Sequence, residues 1–146
     1  MPNVRGKRGA TATVPPPPSV TSRPLLRHAG LSFSFKHFVH RPPFEIADRG
    51  GDYLLALVER LRDLAGLSAI ELLTGRSKAI RCHPVIWVDT SQPGGFDHLN
   101  ATVRAQVAPY QFSISANAHG RVHGFFIDDV FYVVWLDPAH QLYPGT

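Results

Sequence analysis

The chain is short of the residues that several protein classes require. Its 146 residues include a single cysteine, Cys82. One thiol cannot close a disulfide within the chain, nor build a zinc site of several cysteines. A reducing, cytoplasmic setting is therefore expected. Unbroken apolar runs are only a few residues long, well below the ~20 residues that cross a bilayer, so no membrane association is expected. Walker loops and dinucleotide fingerprints are missing as well, because Gly50-Gly51 and Gly94-Gly95 are isolated pairs. Acidic residues are missing from residues 1–30. That stretch also lacks the ~7–15-residue apolar core of a secretory leader.

The charge is unevenly distributed. The formal net charge is +4, with 15 Lys and Arg against 11 Asp and Glu. Arg5, Lys7, Arg8, Arg23 and Arg27 all fall in residues 1–30. Setting those five aside leaves ten cations against the eleven acids, so residues 31–146 are near neutral at −1. The same N-terminal stretch carries Pro15-Pro16-Pro17-Pro18 and few residues able to form a core. It reads as a disordered Pro/Arg-rich tail in residues 1–30, attached to one domain in residues 31–146. Histidine is abundant: eight in the chain, seven of them beyond residue 30.

The body begins with Leu31-Ser32-Phe33-Ser34-Phe35-Lys36-His37-Phe38, which alternates apolar and polar as a half-buried strand does. Asp52 then reads as an N-cap. Tyr53, Leu54, Leu57, Val58, Leu61 and Leu64 recur at three- and four-residue spacing, forming one apolar helical stripe that ends near Gly66. Ser68 and Glu71 form a capping-box pattern for a second helix ending near Gly75. Cys82 to Val88 predicts a strand, residues 96–108 are ambiguous, and Tyr110 to Ser115 alternates again. Arg121 to Ile127 and Val130 to Leu136 predict a hairpin turning at Asp128-Asp129. The expected fold is α+β, with an N-terminal strand and a helical hairpin packed on a mostly antiparallel sheet of four to five strands.

Three polar clusters are candidates for chemistry. In the first, His119, Arg121 and His123 would share one face of a strand, since side chains alternate with period two. Imidazoles serve as general base and acid near neutral pH, and a guanidinium holds a phosphate and stabilises developing negative charge. The same three would also fit a solvated strand face. A metal shared by His119 and His123 is disfavoured, because i and i+4 lie about 13 Å apart along a strand. In the second, His140 and Tyr143 follow the apolar strand after Asp137-Pro138 and offer a proton donor and a base-stacking ring, or else simply close the domain. In the third, Arg76, Lys78, Arg81 and His83 are the most basic part of the body and could track an RNA backbone, or form a solvated loop. Cys82 and His83 are neighbours on a strand and face opposite ways, which argues against a nucleophile pair.

Tyr110-Gln111-Phe112-Ser113-Ile114-Ser115, His119-Gly120-Arg121-Val122-His123-Gly124-Phe125, Asp128 through Trp135, and His140-Gln141-Leu142-Tyr143 together resemble the RelE/ParE toxin superfamily. The preceding strand and helical hairpin fit the family's order. The resemblance covers residues 31–143 in topology and 110–143 in motif, and residues 89–108 are a longer connection than the family needs. It implies a RelE-like fold and a bacterial toxin of a toxin-antitoxin or defence system, or a relative of one. RelE-like members cleave mRNA, commonly on the ribosome, without metal or cofactor. ParE-like members poison gyrase, and an antitoxin protein wrapped across the sheet silences either kind. By this resemblance Arg121 is a phosphate ligand and His140 and Tyr143 are the terminal His-x-x-Tyr. The expectation is a metal-independent endoribonuclease. The alternative is a non-catalytic protein-binding module on the same fold.

Overall fold

The structure is a computed structural model that describes residues 29–75 and 80–145. Among the described residues, five strands form one sheet: β1 (Ser32–Ser34), β2 (His83–Pro84), β3 (Pro109–Ser113), β4 (Arg121–Ile127) and β5 (Val130–Asp137). Their spatial order is β1-β5-β4-β3-β2. The helices are α1 (Gly51–Leu64), α2 (Ala69–Thr74) and α3 (Ala101–Gln106). The fold is therefore α+β. The sheet is mixed, however: β1 runs parallel to β5, and the other neighbours pair antiparallel. The helical hairpin leads from β1 at one margin of the sheet to β2 at the other, and three antiparallel steps back bring β5 alongside β1 in the same direction.

The β4–β5 hairpin is the spine of the molecule. Ile127 pairs with Val130 across Asp128 and Asp129, and the register runs to Arg121 opposite Asp137, with a bulge at His123/Gly124. Asp128 takes the left-handed conformation (φ 53°) that turns the chain. Asp129 serves the neighbouring helix: its Oδ1 accepts the Ala69 N–H at 2.8 Å. Ser68 Oγ and the Glu71 carboxylate complete the capping box of α2.

The two sheet faces are covered differently. One face packs against α1 and α2, burying Tyr53, Leu57, Leu64 and Leu72 on Phe112, Val122, Phe131 and Val133. The helical stripe is narrower than its spacing implies: Tyr53, Leu57 and Leu64 are buried, whereas Leu54 and Val58 are 60% and 53% exposed. Gly50 rather than Asp52 caps α1, and Ala65 rather than Gly66 closes it.

Among the described residues, no long helix covers the other face. Phe44, Val85, Phe96, Leu99 and Leu142 cover Phe125, Val134 and Trp135. Trp135 is fully buried, with Phe44 stacked on it at 4.7 Å and Phe96 and Trp87 edge-on. Arg41 adds its guanidinium 4.9 Å from the Trp135 ring and bonds Asp97 at 2.7 Å, tying the segment after β1 to the loop before α3. The long connection around residues 89–108 is thus the lid of a second core. The expected strand from Cys82 to Val88 shortens to His83–Pro84, because the chain turns through a 3₁₀ segment at Trp87–Asp89 to seat Trp87. Among the described residues, no helix is long and apolar enough to cross a membrane.

Candidate functional site

A cleft of about 870 Å³ opens at one end of the sheet, beside the start of β4, the end of β5 and strand β2. Arg81, His83, His119, Arg121, His140 and Tyr143 all line it. They come from all three clusters singled out in the sequence. Arg76 and Lys78 lie outside the described residues.

Backbone geometry builds this convergence. Arg81 (φ 48°), His119 (φ 65°) and His140 (φ 61°) are left-handed. Among the described residues, Asp128 is the one other non-glycine residue with positive φ. Such conformations are uncommon outside glycine, and they gather at functional sites. Gly120 (φ 67°) is required by space as well as by conformation, since a Cβ there would run into the Asp137 carbonyl and Pro138. This close approach brings the 119–121 turn against the end of β5.

Two of the placements expected for the first cluster are corrected. His119 precedes the strand instead of lying on it, and its ring packs edge-on against Tyr53 of α1 at 5.9 Å. His123 does share a strand face with Arg121, but that face turns into the aromatic core at His123. The ring is fully buried, 5.9 Å from Phe44, and does not line the cleft. The apolar cover around residues 85–108 is not legible in the sequence as a core layer, so both readings of that face, catalytic and solvated, left His123 exposed.

Asp137, which was not among the candidate site residues, is the polar hub behind the cleft. It is 1% exposed. Its Oδ2 accepts the His123 Nε2–H at 2.9 Å and the Leu142 N–H at 2.9 Å, while Oδ1 accepts the Gln141 N–H at 2.7 Å. These bonds shape the 138–143 loop that carries His140 and Tyr143. Desolvation pushes the Asp137 carboxyl upward, but the His123 hydrogen bond and charge and the two backbone N–H donors outweigh it, so its pKa falls below the usual carboxylate value. Burial holds the His123 pKa below the ordinary imidazole value despite Asp137. The pair is therefore a neutral imidazole donating to a carboxylate. The signal in the sequence was an Asp at the end of an apolar strand, with polar backbone to satisfy beyond it.

Arg121 lies opposite Asp137 in register. Burial and the neighbouring Arg81 charge lower its pKa, and Asp137 acts against them. Two guanidiniums lining one cleft favour an anion there. Tyr143 Oη accepts the Ile86 N–H at 3.0 Å and joins the C-terminal loop to the segment after β2. Gln111 of β3 also lines the cleft, at 3% exposure, with Nε2 3.4 Å from His83 Nδ1. Burial pushes the Cys82 thiol up to about 12, so it stays protonated and a poor nucleophile. Among the described residues, no three of His, Cys, Asp and Glu are grouped to hold a metal ion. Set beside protein-family models, curated proteins and solved structures, the chain matches none.

Proposed function

We propose that the protein is a toxin-like endoribonuclease acting on single-stranded RNA, with this cleft as its active site. One observation carries the reading: Arg81, His83, His119, Arg121, His140 and Tyr143 come from separate stretches of the chain and line one cleft. In this chemistry one imidazole takes the proton from a ribose 2′-hydroxyl, which attacks the adjacent phosphorus. A second imidazole protonates the departing 5′-oxygen, leaving a 2′,3′-cyclic phosphate. Arg81 and Arg121 would hold the non-bridging oxygens and offset the charge that grows there. The volume of about 870 Å³ lies within the ~300–1,000 Å³ of small-molecule pockets, room for a short single-stranded segment. The order of strand, helical hairpin and consecutive strands ending in His140-x-x-Tyr143 supports a RelE-like assignment. On that reading mRNA, free or on the ribosome, is the substrate, an antitoxin is the silencing partner and the cytoplasm is the location.

The test is cleavage of an end-labelled single-stranded RNA by purified protein, run beside growth arrest on induced expression in a bacterial host. Expected are 2′,3′-cyclic phosphate ends, arrest by the wild type, and at least a hundredfold loss of cleavage in folded Arg121→Ala and His140→Ala. Absence of both cleavage and arrest at high soluble expression overturns the reading.

A second reading is favoured by α1, where Leu54, Leu55 and Val58 are 60%, 60% and 53% exposed. Leu54 and Val58 sit one turn apart on one helix face. A non-catalytic module, or a gyrase-type toxin, would use such a surface to hold a protein. Arrest that survives Arg121→Ala and comes without RNA cleavage would select it.

A further inference from the structure

The proposed chemistry leaves one charged group of the cleft unused. Among the described residues, Asp89 is the single acid that lines it, against Arg81, Arg121 and the imidazoles of His83, His119 and His140. A carboxylate repels a phosphate, so phosphate binding does not account for its place there. Asp89 is exposed, and among the described residues it forms no ion pair with either guanidinium. Its backbone is braced all the same. Asp89 ends the 3₁₀ turn Trp87–Asp89 and donates its N–H to the Ile86 carbonyl at 3.0 Å. Trp87 points inward, edge-on to Phe96 at 4.8 Å and to Trp135 at 5.9 Å. Residues three apart in a 3₁₀ turn lie on the same side, and Ile86 and Asp89 accordingly both line the cleft. Ser91 ties this turn to the loop of His140 and Tyr143. Its N–H donates to the Leu142 carbonyl at 2.8 Å and its hydroxyl to the Gln141 carbonyl at 2.7 Å. The Tyr143 hydroxyl also holds the Ile86 N–H. The anchored turn thus presents to the cleft an apolar side chain, Ile86 at 56% exposure, and a carboxylate beside it. Pro84 extends the apolar wall.

We propose that Asp89 is a specificity-determining residue that takes the Watson–Crick edge of a guanine in single-stranded RNA, with Ile86 and Pro84 against the face of the base. This rests on the nuclease reading for RNA as the source of the base. The choice of guanine follows from the donors each base offers. An ionised carboxylate only accepts, and its two oxygens take two parallel N–H groups. Guanine sets N1–H and N2–H₂ side by side. Adenine and cytosine set one amino group beside a bare ring nitrogen, and uracil sets one N–H between two carbonyl oxygens. Each of those three places a lone pair against the carboxylate. The cleft then divides by charge: phosphate goes to Arg81 and Arg121, and the base goes to the wall of Pro84, Ile86 and Asp89.

Titration of the full chain with the 5′-monophosphates GMP, AMP, CMP and UMP, followed by amide chemical shifts, tests the base preference without any cleavage. GMP should bind about tenfold or more tightly than the other three, within the roughly 5–150-fold that one bidentate pair to a base supplies. Asp89→Asn, an exposed change of nearly equal size, should weaken GMP about tenfold and leave the other three unchanged or tighter. An Asp89 that merely repels phosphate gives a different result: all four nucleotides tighten together in Asp89→Asn. That result, a wild type without preference for GMP, or binding of none of the four would overturn the proposal. On an end-labelled RNA, cuts should fall beside guanines with the wild type and spread to other bases with Asp89→Asn. Cleavage without a guanine bias leaves the nuclease standing and overturns the role of Asp89. GMP binding through Asp89 with no RNA cut overturns the nuclease reading and RNA as the source, and assigns the site to a free guanine nucleotide.

Discussion

The two faces of the sheet solve the same burial problem by opposite means. On the helical face, α1 and α2 lay regular apolar side chains over Phe112, Val122 and Phe131. On the aromatic face, irregular chain around Phe44, Trp87, Phe96 and Leu142 covers Trp135 and Phe125. A helix satisfies its own backbone groups, so the helical face holds few buried polar side chains. Irregular chain cannot do this, and its polar groups need partners. Asp137 meets that need for Gln141 and Leu142, and the carboxylate it buries then requires His123. The chemically interesting residues collect on the less regular face for this reason.

The contrast can be broken most severely at its centre. Trp135→Ala removes a side chain that Phe44, Phe96, Trp87 and Arg41 all touch, and it should cost about 3–5 kcal/mol by urea denaturation followed by circular dichroism. Asp137→Ala should cost about 3 kcal/mol or more in the same assay. It strands a buried imidazole and two backbone N–H groups.

The pair also sets an acid limit. His123 has a folded pKa below its ordinary value near 6.5, so the unfolded chain takes up a proton that the folded one refuses. Its contribution is complete above about pH 6.5 and drains away as pH falls below it. Asp137, also lowered, adds a loss at still lower pH, as pH falls below the unfolded carboxyl value of about 3.9 toward the folded one. The urea midpoint should therefore drop between pH 7.5 and pH 5, and the slope should flatten in His123→Gln. A midpoint independent of pH in that window would refute the buried neutral imidazole.

On the helical face the effects shrink. Ser68→Ala opens the capping box of α2 and should cost about 1 kcal/mol. Val58→Lys, on the exposed side of α1, should stay within about 0.5 kcal/mol of wild type, and a larger loss would mean that a partner covers this side in solution.

What the sequence revealed follows the same division. The β4 span, the Asp128-Asp129 turn and the Ser68/Glu71 box were all legible, because period-two alternation and capping chemistry are local. The parallel pairing of β1 with β5 was not, since nothing in either strand records its neighbour. His123 was misplaced because the alternation that put it beside Arg121 was correct while the cover over that face was invisible. Phe44, Phe96 and Leu99 are scattered through loops with no period to mark them as core. Six of the nine candidate site residues line one cleft all the same: residue types that suit phosphate chemistry drew attention to segments whose meeting point only the fold could show.

The strand order has a consequence for life in a crowded cell. The two strands at the margins of the sheet are three and two residues long, and the seven- and eight-residue β4 and β5 lie inside. Beyond β2, the flanking chain continues to cover β3, through Ser113 N–H to the Ile80 carbonyl and the Pro109 carbonyl to Val85 N–H. A long bare margin is a template for strand addition between molecules, and short margins withhold it. The most apolar segment of the chain, Phe131 to Leu136, is thereby kept from joining its copies into fibrils for as long as the sheet stays closed.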